Sequence, residues 1–353
     1  KQSNNISKKV RLRLDDPNRA IESIVSRPLV TLGGTVRMKF LLDELSSTPE
    51  QVNPFDIWSA RREFTVMGEG GIPSTHSVSP ETQGIDDTYL GFIDPIQSPT
   101  GGRVGLNMFM ARAADKDGKR LVARGREAQT GKPVSFSPEE AYDKVVALPG
   151  SFELKDGRMI PKSLVVKALV RGEIKEVPAK SVDWTYETPE ATINQVINVL
   201  PFLNHNSPVR ANYTGNQMKQ ALPLKYREAP LVKSFIGRMD NKDQYGEDDM
   251  YELTNLRVPS HLDGAKVVSV GSDYINVLTS DGKKANLRFY NAFPLNGTTF
   301  LDYKPTVKPG DVLRDGAIYA ENNFSKDGQL AFGVNLRVGY LPYKGLNFMD
   351  GLV

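Results

Sequence analysis

Patterns of apolar and polar residues predict the local structure of the N-terminal part of the chain. Residues 9–14 alternate basic and apolar side chains, which indicates a strand, and the apolar segment 36–45 indicates a helix. A second helical stretch, residues 52–71, runs into a glycine-rich sequence in which the helix should end. The segment that follows, up to Arg103, is rich in Gly, Pro, Ser and Thr. Long irregular segments inside compact proteins are usually functional, so we expect a function for it.

Two more helices are predicted near the middle of the chain. Thr188-Pro189 combines a capping residue with a proline suited to the first helical position. The apolar residues that follow lie at helical spacing, at Ile193, Val196, Ile197 and Leu200. Ser207-Pro208 repeats the same start signal and predicts a second helix from about residue 209 to residue 222.

Strand-like alternation dominates the remaining sequence. Residues 105–185 indicate short strands and hairpins, with turn signals at Asp117-Gly118 and Asp156-Gly157. Residues 266–289 alternate in the same way around Asp281-Gly282, which predicts a second β-rich module. The chain is therefore predicted to be a multidomain α+β protein, with small mixed β-sheets, a barrel-like β module and a few helices.

Composition and charge limit which kinds of functional site the chain can contain. Cysteine is absent, which excludes disulfides and thiolate metal sites. Lys and Arg number 45 and Asp and Glu 42, so a nucleic-acid surface would have to be a local basic patch. His76, His205 and His261 lie far apart, so each is expected at the surface or in packing rather than on zinc. The sequence has no long apolar run and no signal-peptide pattern, so we expect a soluble intracellular protein.

No self-contained catalytic motif is present. The sequence has no phosphate-binding P-loop, no Gly-x-Ser-x-Gly elbow and no His-Glu-x-x-His zinc motif. Gly68, Gly70 and Gly71 follow a predicted helix rather than a strand, which does not fit a dinucleotide fingerprint. Residues 115–118 begin like a calcium loop but lack its glycine at the sixth position and its Glu at the twelfth. Both sequences are interpreted as turns.

Polar residues on the second predicted helix form the most informative cluster. Asn216, Lys219 and Gln220 share one face by their i, i+3, i+4 spacing. With Arg210 they could donate hydrogen bonds to phosphate and sugar oxygens. A solvated helix face is the alternative interpretation. Three arginines could likewise meet a nucleic-acid backbone or simply lie at the surface, namely Arg61, Arg62 and Arg103.

Several stretches also form an ordered series along the chain. They are Asn53-Pro54, Arg61-Arg62, residues 68–71, residues 95–106, residues 201–205, Arg210, Asn216, residues 219–221, Pro223, residues 230–232, residues 310–313, residues 335–338 and residues 345–348. In this order they resemble the β subunit of multisubunit DNA-directed RNA polymerases. The resemblance covers roughly residues 50–353, and its motifs are specific as a set.

The resemblance implies a role for each residue of the helix cluster. Arg210 would approach the triphosphate of the incoming nucleotide, and Asp350 would lie near the metal of that nucleotide. Asn216, Lys219 and Gln220 would lie at the active centre, the last two near the RNA 3′ end.

The resemblance also implies contacts with downstream DNA. Residues 69–79 correspond to fork loop two, which borders that DNA. The residues assigned to the DNA and fork-loop contacts are Arg61, Arg62, Gly68, Gly70, Gly71 and Arg103. Met349 departs from the pattern because the family has Glu there, so a metal-linked role of that carboxylate is lost or moved.

Catalysis is assigned to partners. The resemblance implies two-metal, in-line attack of the RNA 3′ hydroxyl on the α-phosphate of a nucleoside triphosphate. The Mg²⁺ ions would be bound by a β′-like subunit, and this chain would hold no catalytic residue and no metal ligand. The expected partners are the β′-like subunit or subunits, other β fragments, the DNA template and the RNA transcript, with no membrane. The isolated chain is expected to be inactive.

The resemblance predicts four domains and an origin. Residues 1–45 would end the protrusion, residues 46–243 form the fork region with the nucleotide-side helix, residues 244–305 form a β-rich external domain, and residues 306–353 begin a hybrid-binding domain. The arrangement is most like giant-bacteriophage polymerases whose β is divided into separate chains, which would place the protein in the cytoplasm of an infected bacterium. The other interpretation of the origin is that the chain is part of a longer polypeptide. The alternative is a non-catalytic nucleic-acid-binding or assembly protein derived from β.

Overall fold

The computed structural model describes residues 32–42, 46, 48, 50–68, 70–74, 77–232 and 254–339. The predicted strand at residues 9–14, His76 and Asp350 lie outside these ranges. The chain forms two compact units. One combines Lys1–Thr48 with Met67–Ser74, and the other combines Pro49–Val66 with Thr75–Val353.

Five α-helices are described. They are α1 (Leu32–Leu41), α2 (Pro54–Ala60), α3 (Pro138–Tyr142), α4 (Gln195–Asn198) and α5 (Pro208–Lys219). Short 3₁₀-helices occupy Pro80–Gln83, Asp87–Tyr89, Ala179–Ser181, Pro189–Thr192, Leu203–His205 and Ser260–Leu262. In α2, α3 and α5 a polar side chain caps the first turn and proline takes an early position, because proline lacks the N–H that such a position leaves unpaired.

The strands of the larger unit form several small sheets. They are β1 (Glu63–Thr65), β2 (Asn107–Phe109), β3 (Ala114–Asp117), β4 (Arg120–Glu127), β5 (Pro133–Phe136), β6 (Val145–Ala147), β7 (Phe152–Lys155), β8 (Arg158–Pro161), β9 (Val165–Val170), β10 (Glu173–Pro178), β11 (Trp184–Thr185), β12 (Asn255–Arg257), β13 (Lys266–Val270), β14 (Tyr274–Leu278), β15 (Lys284–Arg288), β16 (Phe293–Pro294), β17 (Phe300–Leu301), β18 (Lys304–Pro305), β19 (Ile318–Glu321), β20 (Ser325–Lys326) and β21 (Gln329–Leu330).

A seven-stranded mixed sheet follows the first irregular segment. Its order is β10-β9-β6-β11-β4-β3, with β5 also paired to β4, and only β11 runs parallel to its neighbour β6. The hairpin β7–β8 turns at Asp156 and Gly157, both with positive φ (49° and 77°), which matches the twist of a two-residue hairpin turn. The predicted small mixed sheet and its turns are confirmed.

Residues 254–339, called the C-terminal module, surround one apolar core. Strands β12, β18 and β19 form one sheet and β13, β14 and β15 another, with the hairpins β16–β17 and β20–β21 beside them. The core draws on residues on both sides of the predicted boundary at residue 305, such as Leu301 and Leu313. Among the described residues no sheet closes into a barrel. The α+β class with several small sheets is confirmed, and the three boundaries between the four predicted domains stay predictions.

Helix limits differ from the sequence prediction at several points. The helix predicted over residues 52–71 ends at Ala60, and the chain enters β1, because β1 pairs with the distant strand β2. The helix predicted from Pro189 is broken at Ile193, which is extended and accepts a hydrogen bond from the backbone of Arg112. Asn194 then caps α4, whose first residue is Gln195.

Smaller shifts affect the other two helices. The first helix covers Leu32–Leu41 rather than residues 36–45. In α5 the helix ends at Lys219 instead of continuing to residue 222, and Gln220 is its C-cap residue.

Candidate nucleotide and nucleic-acid interface

A buried asparagine joins the start of α2 to the end of α5. The Asn53 side-chain oxygen accepts a hydrogen bond from the Asp56 backbone N–H at 3.0 Å, which caps α2. Its Nδ2 donates to the carbonyl oxygens of Met218, Lys219 and Ala221 at 2.8, 3.0 and 3.0 Å. The last carbonyls of a helix have no partner within it, so one fully buried amide satisfies two helix ends at once.

Two further asparagines, both on α5, form hydrogen bonds with the irregular loop. Asn212 Oδ1 accepts a hydrogen bond from the Ser98 backbone N–H at 3.0 Å. Asn216 Nδ2 donates to the Ser98 carbonyl oxygen at 3.1 Å and to Asn212 Oδ1 at 3.2 Å. These residues are one helical turn apart, so their amides meet the backbone N–H and C=O of the same loop residue, Ser98. We call α2, α4, α5 and the loop of residues 94–106 the α5 site.

A buried carboxyl group holds the base of the same loop. Asp94 accepts hydrogen bonds from the backbone N–H groups of Ile96 at 2.7 Å and Asn194 at 3.0 Å. Burial raises the pKa of Asp94 to about 6, and the backbone N–H donors oppose this shift. Asp94 thereby links the loop to Asn194, the residue that caps α4.

The Lys219 ammonium group is turned towards the protein. Its Nζ lies 4.8 Å from the centre of the Phe109 ring, within the range of a cation–π contact. Burial lowers the pKa of Lys219, while the carboxylates of Asp56, Glu63 and Glu50 oppose this shift. Burial also raises the pKa of Asp56. The Lys219 side chain therefore runs from the end of α5 towards Phe109, and the nearby carboxylates only partly offset the desolvation of its ammonium group.

Helices α4 and α5 pack closely because α5 contains a glycine. A Cβ atom added at Gly215 would lie 2.6 Å from Cδ1 of Ile197, which is fully buried. Ile197, Leu200 and Ala211 form a small apolar cluster between the two helices. Of the apolar positions that predicted the first central helix, Val196, Ile197 and Leu200 are buried and Ile193 is partly buried, although the helix itself is shorter.

The predicted contact residues divide into outward and inward groups. Arg210, Gln220, Arg61 and Arg103 are exposed. Arg62 Nη2 instead donates to backbone carbonyls, to Ala111 at 2.6 Å and to Ala114 at 2.8 Å, and its guanidinium lies 5.3 Å from the Trp58 ring centre. Like Asn216 and Lys219, Arg62 contacts other parts of the protein. Two members of the predicted polar cluster on α5, Asn216 and Lys219, therefore do not face outwards.

The fork-loop glycines lie in the smaller compact unit. Gly68 donates a backbone hydrogen bond to the Ile72 carbonyl at 3.1 Å, and Gly71 donates to the Gly68 carbonyl at 3.0 Å. Gly68 and Gly70 have φ values of 110° and 83°, a region that favours glycine. The sequence forms a tight turn here, as its glycine content predicts.

Sequence reasoning did not single out the residues that hold the α5 site together. Asn53, Asp94 and Asn212 make its buried contacts, and of these only Asn53 carried a local signal, an Asn-Pro capping pair. Within the described ranges, no group of three His, Asp or Glu side chains could hold a metal ion. No described helix has the length and apolar character needed to span a bilayer.

One part of the chain that contributes to this site matches a family model. Residues 47–115, which contain α2, β1, the irregular segment and β2, match the family described as RNA polymerase Rpb2, domain 3.

Longer matches point to one kind of polymerase subunit. The chain is 26% identical over 327 residues to the DNA-directed RNA polymerase subunit beta of Mycoplasmopsis pulmonis, covering 90% of this chain and 26% of that protein. It is 27% identical over 333 residues to the subunit of Flavobacterium johnsoniae, covering 92% and 26%. With that of Chlorobium luteolum the identity is 25% over 362 residues, covering 99% and 27%. The chain thus spans about a quarter of these relatives, and the matches support a β-subunit segment.

Proposed function

We propose that this chain acts within a DNA-directed RNA polymerase, as the part of β that places the incoming nucleotide, the RNA 3′ end and downstream DNA. One observation carries the proposal. Segments that resemble β in three separate parts of the sequence meet in the α5 site, where Asn53 holds the end of α5 and Ser98 is bound by Asn212 and Asn216. Similarity to β along the whole chain supports the same function.

The exposed site residues are assigned direct contacts, and the site residues that contact the protein are assigned indirect roles. Arg210 lies exposed in the first turn of α5 and is the residue that we assign to the triphosphate, because a guanidinium can clamp phosphate oxygens in a bidentate manner. Gln220, exposed at the other end, is assigned to the RNA 3′ end. Asn216 and Lys219 act indirectly, by fixing the loop and the helix end. Arg61 and Arg103 are assigned to DNA, and the role of Asp350 stays a prediction.

The chemistry of bond formation belongs to partners in this proposal. Mg²⁺ ions held by a β′-like subunit supply charge neutralisation and activation of the RNA 3′ hydroxyl. The residues of this chain bind and orient the substrates, which is the larger part of catalysis in phosphoryl transfer. The relatives named above are bacterial subunits, and a bacteriophage origin with a divided β stays a prediction.

Arg210→Ala in the assembled enzyme tests the nucleotide assignment. Loss of a charge-assisted phosphate contact should raise the half-saturating nucleotide concentration of single-step extension about ten- to a hundredfold, or roughly 1.5–3 kcal/mol. Arg210→Lys should recover part of the loss, because an ammonium keeps the charge without the planar fork. Arg158→Ala, which removes an exposed arginine from strand β8, is the matched control and should leave nucleotide use unchanged.

A purely structural role for Arg210 gives a different result. If the side chain only braces α5, Arg210→Ala should lower the melting temperature and leave the half-saturating nucleotide concentration unchanged. That pair of results would contradict the assignment, whereas template DNA affinity should change little under either role.

A further inference from the structure

The sheet β13–β15 of the C-terminal module has two unlike sides. On one side Val267, Ile275 and Val277 are buried in the apolar core of the module. On the other side every second residue points outwards, since side chains alternate along a strand. We call this second side the outer face, and its residues are Lys266, Val268, Ser269, Tyr274, Asn276, Leu278, Lys284, Asn286 and Arg288.

Three cations lie at the margins of the outer face. Lys266 and Lys284 both stand opposite Leu278, one on each flanking strand. Arg288 stands opposite Tyr274 at the other end of the sheet. All three cations are exposed. Among the described residues, no carboxylate lies within ion-pair distance of these three cations. Their positive charges are therefore exposed to solvent without an ion pair there.

A row of polar side chains crosses the middle of the outer face. Asn286 Nδ2 donates to Asn276 Oδ1 at 2.8 Å, and Asn276 Nδ2 donates to Ser269 Oγ at 3.0 Å. This row connects all three strands and fixes the orientation of each amide. An amide nitrogen carries two protons, so each asparagine has a second N–H beyond the bond described here.

Carboxylates are absent from the outward positions of these three strands. The nearest acidic residues lie outside the strands, at Asp263, Asp273, Asp281 and Asp311. The carboxylates of Asp263 and Asp311 accept hydrogen bonds from the backbone N–H groups of Asp315 and Lys308. The Asp281 carboxylate already binds Lys283 Nζ at 2.8 Å and accepts a hydrogen bond from Thr279 Oγ1. The outer face is therefore positive, although the chain as a whole has a net charge of only +3.

We propose that the outer face binds the sugar–phosphate backbone of a nucleic acid. Marginal cations can neutralise phosphates, and the central amides and the Ser269 hydroxyl can hydrogen-bond phosphate and sugar oxygens. Tyr274 offers a partly exposed ring beside Arg288. The exposed Val268 and Leu278 would also suit an acidic peptide, but the polar central row favours a nucleic acid. The site lies outside the α5 site and does not rest on polymerase activity.

The test compares two triple variants of the full chain that remove the same charge. Lys266→Gln, Lys284→Gln and Arg288→Gln neutralise the outer face. Three lysines paired with carboxylates outside the C-terminal module serve as the control, in the triple variant Lys144→Gln, Lys155→Gln and Lys175→Gln. Binding of labelled single-stranded and duplex DNA is measured by fluorescence anisotropy over a range of salt concentrations, and melting curves confirm that both variants fold.

The outer-face variant should weaken binding by at least about tenfold and reduce the slope of log affinity against log salt by roughly 2–3, about 0.7–0.9 for each lost phosphate contact. The control should keep a slope within about 1 of the parent chain. The form of DNA, single-stranded or duplex, for which the outer-face variant loses more affinity is identified as the ligand. Equal slopes for both variants would overturn the proposal. So would competition by poly-glutamate as effective as that by unlabelled DNA, which would indicate an acidic protein ligand.

Discussion

The α5 site and the C-terminal module are stabilised by different means within one compact unit. In the α5 site, single buried side chains such as Asn53 and Asp94 bind the backbone of distant segments. In the C-terminal module, regular antiparallel strands enclose a continuous apolar core that includes Ile275 and Phe324. A buried side-chain hydrogen bond requires a particular donor or acceptor atom at one position. Packing in an apolar core depends mainly on the volume of the side chains. The α5 site should therefore tolerate substitution less well.

The largest effect is expected at Asn53. Asn53→Ala removes the cap of α2 and takes the side-chain donor from the carbonyl groups of Lys219 and Ala221, while the Met218 carbonyl keeps its backbone donors. The change should cost roughly 2–4 kcal/mol of unfolding free energy. Ile275→Val is the control in the module and should cost about 1 kcal/mol, because it removes one buried methylene. Urea denaturation measures both variants. Equal losses would show that the two regions do not differ in the proposed way.

A smaller effect, dependent on pH, is expected at Asp94. Because burial raises its folded-state pKa from 3.8 to about 6, the stabilising contribution of Asp94 is fully present below pH 3.8 and is lost as pH rises through about 6. The Asp94→Asn variant cannot titrate there. The stability of the parent chain relative to Asp94→Asn should therefore fall between pH 4 and pH 7, by roughly 2 kcal/mol.

Unfolding free energies of both proteins across this pH range measure the difference. A constant difference would mean that Asp94 does not titrate with a raised pKa. The variant should also be less stable at low pH, because its amide places an NH₂ group against one of the two backbone N–H donors.

The smallest effect is expected where α4 and α5 pack together. Gly215→Ala gains about 1 kcal/mol of helix propensity but brings a Cβ atom against Ile197 Cδ1, so its net effect should be near zero. In an Ile197→Val background, which lacks Cδ1, the same change should stabilise by about 1 kcal/mol. A double-mutant cycle measures this coupling. Additive effects would contradict close packing at Gly215.

Local chemistry decided which features could be predicted from the sequence. The start of α5 was predicted correctly because Ser207-Pro208 acts within one helical turn. The hairpin at Asp156-Gly157 was likewise predicted, since its positive φ values depend on the turn residues themselves. Arg210 is exposed, as a contact with a phosphate requires. Its contact with the triphosphate stays a prediction.

Contacts between distant residues account for what the sequence did not reveal. Strand β1 replaced a predicted helix because its partner β2 lies far along the chain. Spacing alone placed Asn216 and Lys219 on an outward polar face, but Ser98 and Phe109 occupy their side chains. Helical periodicity shows which residues share a face, but not whether that face meets solvent or another segment.

Purification of the chain with its native partners separates a polymerase subunit from a non-catalytic protein. We expect a β′-like subunit bearing an Asp-Phe-Asp-Gly-Asp-like motif to accompany the chain. We also expect that the complex extends RNA on a DNA template with Mg²⁺ and nucleoside triphosphates, and that the chain alone does not. Nucleic-acid binding without such a subunit and without RNA synthesis would contradict the proposed function and indicate the non-catalytic alternative. Template-directed extension by the chain alone would contradict the assignment of catalysis to a partner.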